Sequence, residues 1–336
     1  MRIITIKDIA KKLGVSHSTV SRSVNNDPRI SEKTREAVLR AVKEMKYMPN
    51  TAARSLARAK SNTIAVVTFS YFLPFPVELI RGIEESVIRA GYELVYYTTS
   101  RYTYMGTEGR DAFIYEKILN EKKADVVIVF SGMLYGGRNI IGRYKKAGVQ
   151  LVFVEGKDKW GHRVHYDNYA AAEIAVSHFS AQNRKKTGMI IGNTVDVQSF
   201  SERKAGFLRA MAKTGQKQAD RNIFEFSEMT PRLANEALEF FMKNGIDSVY
   251  TACGDTQAVD LLIEAAKKGI RVPEDIAIIG QDDIPIARAA GLTTVRQPIR
   301  DMGKKAVEIA VEAIRNKNIK MKDVLFAPEL IKRNTA

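Results

Sequence analysis

The chain of 336 residues holds a single cysteine, Cys253, so no disulfide can form within it and nothing calls for an oxidising compartment. Long apolar runs are missing too. The longest uncharged stretch, Asn62 to Val77, contains two prolines and several polar residues and makes a poor membrane span. The opening MRIITIKDIAKK lacks the apolar segment and small-residue cleavage site of a signal peptide, so a cytoplasmic protein is expected. No GxGxxG or GxxxxGK[ST] loop, HExxH pair or GxSxG elbow is present, which removes the usual signatures of nucleotide cofactors, zinc hydrolysis and serine nucleophiles. His162 and His165 with Asp167 are too few to hold a metal on their own. The expectation is a non-enzyme with no cofactor.

What is present is positive charge, unevenly spread. The net charge is +15. Residues 1–60 carry 14 Lys and Arg against 5 acids, whereas the other 276 carry 39 against 33. Nearly two-thirds of the excess lies in under a fifth of the chain, which points to a polyanion-binding module at the amino terminus.

The local pattern there is helical. Thr5 is a good N-cap with Asp8 three residues on, and Ile6, Ile9, Ala10 and Leu13 fall on one face. Gly14 ends that helix. Ser16 caps a second, running to about Asn25, in which only Val20 and Val24 are apolar. The rest is His17, Ser18, Thr19, Ser21 and Arg22, too polar to be buried on two sides. Ser31 caps a third helix packed through Ala37, Val38, Ala41, Val42 and Met45. Two short helices joined by a glycine turn, the second covered in hydrogen-bonding groups, predict a helix-turn-helix over residues 1–49. Such a helix enters the major groove, where an arginine and short polar side chains reach base edges. Residues 50–61 then read as a short helix with Asn50 as cap, small residues, Arg54, Arg58 and a lone Leu56. It is marginal alone and is expected to order on DNA as a hinge, with Leu56 wedging into the minor groove.

From residue 62 onward, apolar strand candidates alternate with amphipathic helices. The strands are Ile64–Thr68, Glu93–Thr98, Val126–Phe130, Leu151–Val154, Gly188–Gly192, Ile223–Phe226, Ser248–Ala252 and Ala277–Gly280. Helices such as Val77–Ala90 lie between them. This predicts parallel sheets covered on both faces, enough for two doubly wound lobes with a ligand cleft at the strand ends between them.

The chain resembles the LacI/GalR family of bacterial transcriptional regulators. The resemblance rests on TIKDIAKKLGVSHSTVSRSVNNDPRISEKTREAV and YMPNTAARSLA, then PEDIAIIGQDD, LTTVRQPIRDMGKKAVE and ELIKRNTA. It implies a helix-turn-helix headpiece, a hinge and a periplasmic-binding-protein-like core whose chain crosses between lobes three times. The expected edges put about 62–160 and 292–320 in the first lobe and about 161–291 and 321–336 in the second. His17, Ser18 and Arg22 match base-reading positions. Ser16, Thr19, Ser21, Asn25, Ser31, Thr34 and Asn50 match phosphate-framing positions, and Ala53, Arg54 and Leu56 match the hinge. In the cleft, Phe72, Ser199, Arg203, Phe226, Asp255 and Asp282 match effector-contacting positions, with Phe226 as the aromatic stacking surface.

The departures from the family pattern are Gly254 for the usual Asn of ANDxxA, Val197 for a polar residue, Gln281 for an aromatic, and SYFLPFPVEL for an NPFF-type loop. They count against a typical free-sugar effector. The resemblance implies a homodimer, because the chain stops after ELIKRNTA with no apolar heptad tail. It would bind a near-palindromic double-stranded operator, most simply as a repressor, under a small effector: a sugar, sugar derivative or nucleobase. A core that answers to a protein coregulator is the alternative. A solute-binding receptor fits the core but not the headpiece.

Overall fold

Side-chain oxygens start each helix of the amino-terminal unit, as their spacing predicts. In the computed structural model, which describes residues 4–47, 61–68, 73–99, 108–130, 137–156, 160–192, 197–216 and 219–336, these are α1 (Ile6–Leu13), α2 (His17–Val24) and α3 (Glu32–Glu44). The Asp8 carboxylate accepts from the Thr5 amide at 2.8 Å and its hydroxyl at 2.6 Å. Ser16 Oγ accepts from the Thr19 amide at 3.0 Å, and Ser31 Oγ from the Thr34 amide at 3.3 Å. Gly14 ends α1 at φ +62°, a left-handed turn that a side chain would strain. Ile9, Val20 and Val38, one from each helix, are completely buried together with Ala41. Ser23 turns inward as well as the two valines of α2, its hydroxyl donating back to the Thr19 carbonyl at 2.9 Å. This unit ends at Ser61, and residues 62–336 form the second.

The second unit contains two six-stranded sheets. The first is built from β1 (Thr63–Thr68), β2 (Glu93–Thr98), β3 (Val126–Phe130), β4 (Gln150–Val154), β5 (His162–Tyr166) and β11 (Asp323–Phe326), in the order β11-β5-β4-β3-β1-β2 and parallel throughout. Its helices are α4 (Pro74–Ala90), α5 (Glu108–Asn120), α6 (Gly137–Lys146) and α12 (Ile299–Arg315). The second is β6 (Thr187–Ile191), β7 (Ile223–Glu225), β8 (Ser248–Thr251), β9 (Ala277–Asp282), β10 (Thr293–Arg296) and β12 (Glu329–Ile331), in the order β12-β10-β9-β8-β6-β7. It carries α7 (Asn168–Ala181), α8 (Gln198–Lys213), α9 (Leu233–Lys243), α10 (Asp255–Lys267) and α11 (Pro285–Ala289). β1, β3 and β8 are buried along their whole length, the burial expected of strands covered on both faces. Gly82 and Gly303 let α4 and α12 meet backbone to backbone, since a Cβ on Gly82 would overlap the Arg300 carbonyl and one on Gly303 the Leu79 carbonyl.

Two sequence-based expectations need correction. The lobe edges move: β5 and β11 stay with the first sheet and β10 joins the second, so the chain crosses at residue 167, at 297–298 and at 327–328. A parallel strand begins at the outer end of its lobe and finishes at the cleft, so the chain can change lobes only after a strand is complete. The second sheet is also not wholly parallel. β12 runs antiparallel to β10, because only two residues separate it from β11 and it enters the second lobe at the cleft end. The strands β5, β10, β11 and β12 are additions to the eight candidates. β11 and β12 are short and half-exposed, β5 is interrupted by His and Arg, and β10 is buried but holds a single apolar residue, so they give little apolar signal.

Candidate functional site

On the first unit the polar side of α2 faces solvent. His17, Ser18 and Arg22 are exposed, and among the described residues no hydrogen bond or ion pair occupies the His17 ring or the Arg22 guanidinium. Ser18 Oγ lies 2.7 Å from Ser16 Oγ. Thr19 and Ser21 are half-buried at the flanks. Asn25 caps the end of α2, its amide donating to the Ser21 carbonyl at 2.9 Å. Ser31 and Thr34 pair at 2.9 Å at the start of α3, where free backbone N–H groups favour an anion. Lys12 ties α1 to α3 through Glu44 at 2.7 Å, and the Arg35 guanidinium donates to the carbonyls of Asp27 and Ile30. The unit therefore holds one helix rigidly while its charged and hydrogen-bonding tips stay available. Asn50, Ala53, Arg54 and Leu56 lie outside the described residues.

In the second unit, buried polar groups gather where the chain crosses between lobes. Arg203 of α8 is at the centre, only 4% exposed. Its Nε donates to Asn168 Oδ1 at 2.9 Å, one terminal nitrogen to the Ala252 carbonyl at 2.7 Å, and the other to Gln297 Oε1 at 3.1 Å. Asn168 opens α7 just after the first crossover and Gln297 sits in the second, so one guanidinium holds two of the three connections. Gln297 Nε2 donates onward to Glu155 Oε1 at 3.1 Å. Asn168 Nδ2 reaches Glu202 Oε2 at 3.2 Å and Glu155 Oε2 at 3.5 Å. Two carboxylates from opposite lobes thus converge on one amide. Beside them Gln281 accepts from the Tyr250 hydroxyl at 2.5 Å and donates to Asp282 Oδ1 at 3.2 Å.

Burial sets the electrostatics. It pushes the Glu155 carboxyl up to about 7 against the pull of Arg203, and raises Asp282 against the same cation. Asp282 Oδ1 is 3.8 Å from the Arg203 guanidinium. Glu155, Asp282 and Asp283 all sit at positive φ, 56°, 103° and 55°, a backbone region costly for residues with a Cβ and concentrated at functional sites. A cavity of about 280 Å³ opens against this network, lined by Glu155, Asp167, Gln198, Ser199 and Glu202 among others.

The expected cleft residues divide. Ser199 lines the cavity. Phe226 follows β7, and its ring flanks Gly192 together with Phe200. Asp282 stands at the end of β9, its Oδ2 3.7 Å from where a Cβ on Gly254 would be. Arg203 spans the crossovers with its nitrogens already occupied. Asp255 is corrected: it is completely buried, with Oδ1 accepting from the Thr294 hydroxyl at 2.6 Å and Oδ2 from the Ile284 amide at 2.8 Å. Both oxygens are used to fasten α10 to β10 and α11, so it braces the lobe and does not reach the cavity lining. Phe72 lies outside the described residues. Glu155, Asn168, Glu202 and Gln297 were not anticipated, and Gln281 only as a departure from the family pattern. Glu155 and Gln297 directly follow strands β4 and β10, and the rule that ligands bind beyond strand carboxyl ends could have singled them out. Cys253 packs against the second lobe's core as a small apolar side chain, its thiol pushed up to about 12 by burial.

Comparison with known proteins places this geometry. Residues 5–50 match the family described as bacterial regulatory proteins, lacI family, and residues 176–336 match a periplasmic binding protein-like domain. The chain is 30% identical over 338 residues to the HTH-type transcriptional repressor PurR of Vibrio cholerae serotype O1 (strain M66-2), covering 98% of this chain and 97% of that one. Its fold is shared by a lac repressor dimer bound to operator and the anti-inducer ONPF, at TM-score 0.85, 23% identity and 99% of both chains. It is also shared by a transcriptional regulator CelR–cellobiose complex, at TM-score 0.69, 23% identity, 99% of this chain and 100% of that chain. With a helix-turn-helix unit, a two-sheet core and full-length similarity in agreement, the chain belongs to the LacI family of bacterial DNA-binding transcriptional regulators.

Proposed function

We propose that the protein is a homodimeric, operator-binding repressor whose interlobe cleft takes a small polar effector. The observation that carries the DNA reading is the exposed face of α2, where His17, Ser18 and Arg22 project from a rigid basic unit. Arg22 suits a guanine edge, and Ser16, Thr19, Ser21, Asn25, Ser31 and Thr34 frame the flanking phosphates. A dimer reads a near-palindromic site by placing two such helices in successive major grooves. Asn50 adds a further phosphate contact, and Ala53, Arg54 and Leu56 complete the contact at the centre of the site. Acting on chromosomal DNA places the protein in the cytoplasm, and no catalytic role is assigned to it.

Ser199, Phe226 and Asp282 are the proposed effector contacts, with Glu155 and Glu202 from the two lobes beside them and Phe72 from the first strand-to-helix loop. A ligand that bridges Glu155 and Glu202 draws on both lobes, and so shifts the population of lobe orientations and with it DNA affinity. Glycine at 254, at φ +131°, offers no side-chain amide beside Asp282, which favours a ligand hydroxylated differently from a simple sugar. The saturation of Arg203 by Asn168, Ala252 and Gln297 gives weight to a second reading, a core governed by a protein coregulator.

The test has two arms. Selection from random duplexes should return a near-palindrome, and Arg22→Ala should abolish the enrichment. Thermal shifts of the full chain with sugars, sugar phosphates and nucleobases should show a hit of about 2.7 kcal/mol at a hundredfold over Kd, lost on Asp282→Asn. Failure of the selection would sink the operator reading. A screen with no hit would sink the small-effector reading and leave the coregulator.

A further inference from the structure

The core has a charged end. All six strands of the first sheet are parallel, so their starts, from Thr63 to Asp323, lie at one end of that lobe, opposite the cleft. The segments that lead into those strands are residues 89–93, 121–125, 145–149, 160–163 and 315–323. Together they contain ten Lys and Arg against four acids. That excess of six equals the excess of the whole stretch 61–336, with its 39 bases and 33 acids, so the rest of the core is electrically balanced.

Lys123, Arg163 and Lys322 are held by Glu121, Asp323 and Glu312, but five other bases at this end are available. Lys122, Lys145, Lys146, Lys317 and Lys320 are exposed, and no ion pair holds any of them among the described residues. Two of the loops are pressed together. The Gln150 amide donates to the Lys317 carbonyl at 3.3 Å, and the Lys317 ammonium stands over Gly148, 3.6 Å from where a Cβ would be. Lys145 and Lys146 end α6, where a helix dipole alone would account for them. Lys122 and Lys317, two residues beyond the ends of α5 and α12, are open to the same explanation, but Lys320, five residues beyond α12, is not.

The same end receives the chain from the DNA-binding unit. Asn62, the residue before β1, donates its amide to Asp125 at 2.8 Å and its side-chain amide to the Gly91 carbonyl at 3.2 Å, among the basic segments. The intervening residues 48–60 can span at most about 45 Å even when fully extended. A duplex gripped by the first unit is therefore tethered to the basic end by no more than that length of chain, which raises its effective concentration there.

We propose that this end of the core is a second DNA-binding surface, which holds the sugar–phosphate backbone flanking the operator without reading sequence. It supplies affinity and salt dependence, while α2 supplies specificity. The inference rests on the operator binding proposed above.

The experiment uses the full chain and a duplex enriched by it from a random pool, made in a minimal form and with about 15 extra base pairs on each side. The variant is Lys145→Gln, Lys146→Gln, Lys317→Gln, Lys320→Gln. Wild type should bind the long duplex more tightly than the short one. On the long duplex the variant should bind at least tenfold more weakly at low salt. Its log K against log salt slope should be shallower by roughly two to four, near 0.9 for each phosphate it no longer neutralises. On the minimal duplex the two proteins should agree, which also shows that the variant is folded. A control, Lys213→Gln, Lys243→Gln, Lys267→Gln, Lys268→Gln, removes equal charge from the second lobe and should leave the long-duplex slope unchanged. Equal affinity and slope of wild type and variant on the long duplex would overturn the proposal, as would an equal weakening in the control. If the wild type enriches no duplex, the operator reading and this inference fall together. If enrichment succeeds and the variant behaves as wild type, only this inference falls.

Discussion

Replacing Glu155 with Gln removes one titration from the interlobe network and nothing else of comparable size. The side chain is 8% exposed, so solvent does little to screen it. Its carboxyl stands at about 7, against 4.5 when free, because burial disfavours the charge more than Arg203 favours it. Between those values the folded protein retains a proton that the unfolded chain has released. The stability this contributes is complete below 4.5 and drains away as pH rises through about 7. Between about pH 5.5 and 8.5 the change is about 2 kcal/mol. Loss of the far-UV circular dichroism signal reports unfolding of the core, which holds most of the helices. Urea curves of wild type and Glu155→Gln, at one protein concentration, give the stability difference at both pH values. Any fixed cost of the amide cancels between the two. The variant should gain about 2 kcal/mol on wild type from the lower pH to the higher. A difference that stays constant within about 0.5 kcal/mol would show that Glu155 is ionised throughout and would refute the account of the network.

Three further outcomes follow from particular contacts. Asp255→Ala strands the buried Thr294 hydroxyl and Ile284 amide and should cost about 3 kcal/mol or more, read as a lowered melting midpoint, while the affinity of any cleft ligand found by screening stays within threefold. Ser16→Ala removes the N-cap of α2 and should cost the amino-terminal unit about 1 kcal/mol, visible as earlier loss of helical signal on heating. Gly303→Ala forces α12 away from the Leu79 carbonyl and should cost about 1–3 kcal/mol; an unchanged midpoint would mean that the two helices are not in backbone contact.

Much of the amino-terminal unit was legible because its signals are local. Thr5, Ser16 and Ser31 cap helices whose first turns they bond directly, and Gly14 takes the left-handed turn its position suggests. The central strands of the core were legible from their apolar runs, since strands buried on both faces exclude polar residues. The site was less so. Matched positions put Ser199, Phe226 and Asp282 forward as proposed contacts, yet Arg203 is taken up by the crossovers and Asp255 sits in a bracing role, neither of which a motif reveals. Glu155 and Gln297 look like ordinary polar residues in loops.

The sequence by itself determined the helix-turn-helix, the exposed reading face of α2, the alternation of strand and helix, and membership of the LacI family. Those depend on periodicity and on neighbours within a few residues. Only the tertiary structure decided the crossover points, the antiparallel β12, the gathering of bases at one end of the first lobe and the bonding of Arg203 across both lobes. The Gln297–Glu155 bond joins residues 142 apart and the Arg203–Gln297 bond residues 94 apart. Such pairs meet because parallel strands end at a common cleft and the chain passes through it three times, a consequence of topology that no local pattern encodes.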